Sequence, residues 1–110
     1  MIEIENVFEW LQKWYQAQCD GDWEHEYGIK IDTVDNPGWY VVINLLGTEC
    51  EGHPFLPIQV EIDEMNWHFC LLRNNNFEAS CGASNLTKIL QIFRDWVEDC
   101  QKCSRAISSG

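Results

Sequence analysis

Four groups of residues in this chain have the types and spacing for chemistry. Asp20-x-Asp22-x-Glu24 sets out alternate carboxylates as a cation-binding loop does. Cys81-Gly82-Ala83-Ser84-Asn85 places a thiol at an expected strand end just before a helix start, where a thiolate would be stabilised. Cys100-Gln101-Lys102-Cys103 is a C-x-x-C pair of the kind used in redox and zinc sites. His25, between Glu24 and Glu26, has the company of a general base, although such a His is also commonly just hydrogen-bonded.

Each group meets an objection. A calcium loop counted from Asp20 needs Gly at its sixth place and Glu at its twelfth, where this chain has His25 and Ile31. The acids at 20–24 then serve another kind of divalent site, a solvated helix exit that caps its own N–H groups, or contact with a partner. No Arg or Lys lies between Cys81 and Lys88 to clamp an anion, so a small buried thiol competes with a Cys-dependent transferase there. The C-x-x-C follows a helix instead of preceding one, and no second pair completes a zinc site, although Cys50, His53 or His68 could come near. There is no Ser-His-Asp signature, phosphate loop or H-E-x-x-H. No enzyme, metal or cofactor is expected.

Charge narrows the partners. The 110 residues carry a formal net charge of −11, and between Asp20 and Leu72 eleven acids face one base, Lys30. With 45% hydrophobic residues and six Trp this is a folded globule with an acidic surface, not an acidic tail. Such a surface repels nucleic acid and anionic membrane and steers basic proteins inward. The start, Met1-Ile2-Glu3-Ile4-Glu5, has no secretory n- or h-region, and no apolar run spans a bilayer. A cytoplasmic location with reduced cysteines is expected.

The elements that must position these groups follow from periodicity. Asn6-x-x-Glu9 is a capping box before a helix carrying Val7, Trp10, Leu11, Trp14 and Tyr15, with Gly21 as its stop. His25–Thr33 alternates as a strand; Asn36-Pro37-Gly38 suits a type II turn, and Trp39–Leu46 returns. After a loop at 47–57 come strands at Ile58–Ile62, Trp67–Leu72 and Phe77–Cys81, with Asn74-Asn75-Asn76 as a polar turn. Ser84 can cap a last helix with Leu86, Ile89, Leu90, Phe93, Trp96 and Val97 on one side. The fold class is α+β: an antiparallel sheet of about five strands between an N-terminal and a C-terminal helix. Residues 1–103 form a single domain and 104–110 a flexible tail.

If both helices cover the sheet face bearing Ile29, Ile31, Val41, Ile43, Val60 and Phe69, the other face stays open. That face would show Glu26, Lys30, Asp32, Tyr40, Val42, Asn44, Glu61, Asp63, His68 and Cys70, the make-up of a docking surface.

Leu11-Gln12-Lys13-Trp14-Tyr15, Cys19-Asp20-Gly21-Asp22-Trp23-Glu24-His25, Tyr27-Gly28-Ile29-Lys30-Ile31 and Asp35-Asn36-Pro37-Gly38-Trp39, with Phe93 and Trp96 in the last helix, together resemble the immunity protein 53 family. The resemblance spans roughly residues 8 to 100. It implies a small bacterial cytosolic protein, encoded beside a polymorphic toxin, that protects its cell by binding that toxin stoichiometrically. It supplies no catalytic residues. The charge suits a basic toxin, nucleases being one such class. The expected contact residues are Asp20, Asp22, Trp23 and Glu24, with Glu49 and Glu51 from the long loop, then Asp35, Glu61 and Asp63. Trp23 and Trp39 are also candidates for the core. A monomer is expected, because two copies of an acidic face would repel across a two-fold. The rival readings are a sulfurtransferase-like enzyme using Cys81 and a structural homo-oligomer.

Overall fold

A computed structural model of the chain describes the backbone of residues 6–109 and the side chains of residues 6–102. The Met1–Glu5 start and the Cys103 thiol of the C-x-x-C lie outside these described residues. Helix α1 spans Val7–Gln18, a single turn α2 spans Trp23–Glu26, and five strands follow: β1 Ile29–Val34, β2 Gly38–Asn44, β3 Ile58–Glu61, β4 Trp67–Arg73 and β5 Asn76–Gly82. Helix α3, Leu86–Ser109, closes the chain. The strands form one antiparallel sheet in the order β1-β2-β5-β4-β3. This is the expected α+β arrangement.

Local chemistry fixes the boundaries. Asn6 caps α1 by accepting the Phe8 N–H at 2.7 Å. The helix ends at Gln18 with Cys19 extended, so Gly21 is not its stop. Gly21 instead takes φ +99° within the next turn. Residues 23–26 are helical, so the strand expected from His25 starts later, at Ile29, because the backbone N–H groups of residues 20–23 are held by local carboxylates in a capped turn. The β1–β2 connection is the three residues 35–37, and Gly38 already belongs to β2, opposite Val34. Its role is close approach and not a type II turn: a Cβ on Gly38 would sit 2.2 Å from the Cys81 carbonyl oxygen. Asn85, not Ser84, occupies the position before α3, and its carbonyl accepts the Ile89 N–H. The backbone of 104–109, expected as a tail, continues α3.

Both helices lie on one side. α3 packs on the central strand β5, and α1 packs along α3. Phe93 is fully buried where they meet, with its ring 5.1 Å from Trp14, 5.0 Å from Phe77 and 6.0 Å from Trp10. The loop between β2 and β3 seals the same side. Cys50 is fully buried, Phe55 packs on Phe77 and Trp96, and the Trp96 indole donates to the Pro54 carbonyl at 2.9 Å.

The register assigns every strand residue to a face. Val41, Ala79, Cys70 and Ile58 form one cross-strand row, and Ile43, Phe77 and Leu72 another, both toward the helices. The expected parity holds by register in β1, β2 and β3, although Ile31 on edge strand β1 stays exposed, and it is inverted in β4. His68 and Cys70 face the core and are buried, while Phe69 lies on the open side with Trp67 and Leu71. The cause is the connection to β5. Asn74 (φ +52°) and Asn75 (φ +64°) form a two-residue left-handed turn that pairs Arg73 with Asn76. A one-residue difference in a hairpin exchanges the faces of a whole strand.

Phe93→Ala should cost about 3–5 kcal/mol of stability, measured by urea denaturation, because a buried ring among four aromatics leaves a cavity. Gly38→Ala should cost about 1–3 kcal/mol in the same assay through forced separation of β2 and β5.

Candidate functional site

The open face of the sheet carries Lys30, Val42, Glu78 and Leu71 in one row and Asp32, Tyr40, Ser80, Phe69 and Gln59 in the next. Three of the concavities formed by the described residues lie along it. One of about 180 Å³ is lined by Glu26, Tyr27, Lys30 and Val42 among others, and one of about 90 Å³ by Tyr40, Phe69, Leu71 and Arg73 among others. The third and largest, about 500 Å³, is lined by Asn36, Glu61, Ile62, Asp63, Glu64, Trp67 and Phe69. Between the two ends, Glu78 accepts the Tyr40 hydroxyl at 3.2 Å and pairs with Arg73 at 3.7 Å.

The largest concavity is built by the β3–β4 connection. Asp63 Oδ1 accepts the N–H groups of Met65 (2.8 Å) and Asn66 (2.9 Å), and Ile62 N–H bonds to the Asn66 carbonyl at 2.9 Å. The Met65 N–H, then Asn66, hold the Asp63 carboxyl below its ordinary value. Behind the loop, Asn85 Oδ1 accepts the Trp67 N–H at 3.2 Å. Gly82 permits the fit, since a Cβ there would lie 2.3 Å from the Met65 carbonyl oxygen. On this scaffold the Trp67 and Phe69 rings stand 5.5 Å apart at 44°, both half-buried. Glu61 and Glu64 are exposed, and no hydrogen bond or ion pair within the described residues engages either carboxylate. The loop also exposes Ile62 (75%) and Met65 (57%).

The residues expected to make contact are not gathered in one place. Glu61 and Asp63 line the large concavity, and Asp35 stands exposed beside Asn36, which also lines it. Asp20, Asp22 and Glu24 line none of the three concavities. Asp20 Oδ1 accepts the Asp22 and Trp23 N–H groups at 3.0 Å, and Glu24 accepts those of Asp20 and Gly21. The Trp23 and Asp22 N–H groups lower the Asp20 carboxyl, and Glu24 is lowered by its own backbone N–H and then those of Asp20 and Gly21. These oxygens therefore close a turn. Trp23 is a core residue, 5% exposed, packed edge-on to Trp14 at 5.9 Å. Glu49 accepts the Trp14 indole N–H at 2.6 Å, and Glu51 accepts the Gly47 N–H. Both brace the β2–β3 loop. Trp39 is half-buried, and its indole donates to the Ala83 carbonyl at 3.0 Å.

Glu64, Trp67, Phe69, Asn36 and Ile62 are the residues that sequence reasoning missed. Counting the β4–β5 turn as two residues would have found the two rings, because the alternation of Phe77, Ala79 and Cys81 then dictates the faces of β4.

The thiols are packed as core. Cys81 is fully buried on the helix-facing side, and burial raises its pKa, the opposite of an activated thiolate. The enzyme reading based on Cys81 is corrected accordingly. Burial, then the neighbouring Cys81, pushes Cys70 up to about 12, and Cys50 is raised by burial and then by contact with the Cys100 thiol. His25 is exposed on α2 and lines none of the three concavities.

Asp63 tests the loop. Its folded pKa lies below the ordinary 3.8, so its contribution is full above that value and disappears as pH falls through the folded pKa. In an NMR titration from about pH 5 to about pH 2, the Met65 and Asn66 amides should shift together with a midpoint below the ordinary carboxyl value. A midpoint at or above it would contradict the hydrogen-bonded loop.

Comparison with curated proteins and with solved structures finds no match. A family model described as immunity protein 53 matches residues 8–98, which takes in α1, the whole sheet and most of α3. The chain thus belongs to the immunity protein 53 family, whose members neutralise a toxin by binding it and not by catalysis.

Proposed function

We propose that this protein neutralises its cognate toxin by receiving it on the open face of the sheet, centred on the concavity between Glu61, Asp63, Glu64, Trp67 and Phe69. One observation carries the reading. A cavity of about 500 Å³ combines three carboxylates and two aromatic rings, with no basic residue among the described residues that line it. Aromatic anchors in a concave, desolvable setting provide slow release, while acids at the rim accelerate encounter. The toxin is basic at its contact surface, with nucleases as one fitting class, and it is met in the cytoplasm by a monomer of this chain.

The acids then divide by task. Glu61, Glu64 and Asp35 touch the partner. Asp63 shapes the loop and adds its charge. Asp20, Asp22, Glu24, Glu49 and Glu51 contribute to the long-range field that steers a basic partner, a field worth 10- to roughly 1000-fold in association rate at low salt. Trp23 contributes through the core that it fills.

The test is co-expression with the toxin encoded by the neighbouring reading frame. The pair Glu61→Lys with Glu64→Lys should abolish protection and slow association by about tenfold or more, with the urea midpoint unchanged, because both side chains are exposed and bond to none of the described residues. Asp22→Lys, outside the concavity, should still protect. Full protection by the double variant would sink the assignment of the face.

A further inference from the structure

The chemistry of the large concavity specifies its occupant more narrowly than charge does. We infer that it receives an arginine side chain from the toxin, its guanidinium lying on the Trp67 and Phe69 rings while Glu61 and Glu64 accept its N–H donors. This rests on the docking reading above and deepens it.

Two requirements meet here. The floor is aromatic: the rings of Trp67 and Phe69, 5.5 Å apart, share the open face of β4, and an indole face is the strongest aromatic partner for a cation. The rim is anionic and uncommitted. Glu61 ends β3 and Glu64 sits in the loop, and neither carboxylate has a partner among the described residues. Asp63 differs, because its oxygens are already spent on the N–H groups of Met65 and Asn66 and on the Asn66 side chain. The two free carboxylates thus stand to either side of a carboxylate that keeps the loop in shape.

A guanidinium suits this better than an ammonium. It is planar, so it stacks on a ring, and its donors diverge in a fork that serves two acceptors at once. It is also more weakly hydrated, so leaving water for an aromatic floor costs it less. The cavity, at about 500 Å³, falls in the range that holds a ligand larger than one side chain. The residues flanking the arginine therefore enter as well, and exposed Ile62 and Met65 are the apolar surface they meet. The loop is braced from behind by Gly82 and Asn85, so little ordering accompanies binding.

The probe is a capped pentapeptide of four glycines with arginine at its centre, titrated into the full-length ¹⁵N-labelled protein at low salt. The Trp67 indole N–H and the amides of residues 62–67 should shift saturably at millimolar peptide. Replacing arginine by citrulline, which keeps the shape and removes the charge, should weaken binding about fivefold or more. Lysine should bind less well than arginine, and the E61Q/E64Q protein should lose the preference for arginine over citrulline. Equal binding of the citrulline peptide, no shift at Trp67 up to about 20 mM arginine peptide, or equal shifts at residues 20–24 from loose cation attraction would each overturn the inference. The toxin from the neighbouring reading frame separates this inference from the reading beneath it. Toxin binding lost in Trp67→Ala but intact in E61Q/E64Q keeps the docking face and removes the arginine. Intact binding in both variants removes both.

Discussion

Asn74 and Asn75 both hold a left-handed backbone, and the two-residue turn they make sets which side of β4 faces the helices. Much of the molecule depends on that setting. β5 sits at the centre of the sheet and alternates without ambiguity, with Phe77, Ala79 and Cys81 inward and Glu78 and Ser80 outward. The tight turn imposes this alternation on its neighbour. His68, Cys70 and Leu72 therefore face the helix side of the sheet, where Cys70 is fully buried and Leu72 packs against the core. Trp67 and Phe69 are carried to the opposite side by the same step. A register one residue different would bury the rings and expose a histidine and a thiol, and the concavity at the end of the sheet would lose its floor.

The order of elements, the β1–β2 hairpin and the inward faces of β1, β2 and β3 were legible in the sequence because each rests on a strong local signal. Ile29 and Ile31 alternate with Lys30 and Asp32, the turn at 35–37 carries the same parity into Val41 and Ile43, and Asn6 stands at the head of an amphipathic run. β4 was not legible by alternation, since Trp67-Phe69-Leu71 and Cys70-Leu72 are both apolar. His25 and Glu26 differ from the expected strand for another reason. Their pattern suits a strand, but Asp20 and Glu24 fold back onto the preceding backbone and close a helical turn, an effect of hydrogen bonding that periodicity does not record. The candidate site was half legible. Glu61 and Asp63 stood out as acids, while Glu64, Trp67 and Phe69 depended on a register that only pairing defines.

Acidity in this protein therefore has two uses that composition cannot separate. Some carboxylates are internal fittings. Glu49 holds an indole of α1 to the β2–β3 loop, Asp20 and Glu24 tie off the end of α1, and Asp63 shapes the β3–β4 loop. Each has its oxygens directed at the chain's own donors. Others, Glu61 and Glu64 among them, engage none of the described residues and leave their lone pairs to water or to a partner. A net charge of −11 is the sum of both kinds, and only the second kind can add short-range specificity to the field.

The inversion of β4 also has an optical consequence. Of the six tryptophans, Trp14 and Trp23 are buried and Trp10, Trp39 and Trp96 pack against the core, which leaves Trp67 as the one indole on the open face. Its surroundings are anionic, so caesium ions gather there and iodide ions are kept away. Collisional quenching by a cation thus reaches Trp67 along with the half-buried Trp10, Trp39 and Trp96, while Trp14 and Trp23 stay shielded in the core. The protein carries a built-in fluorophore at the place where a partner would displace water.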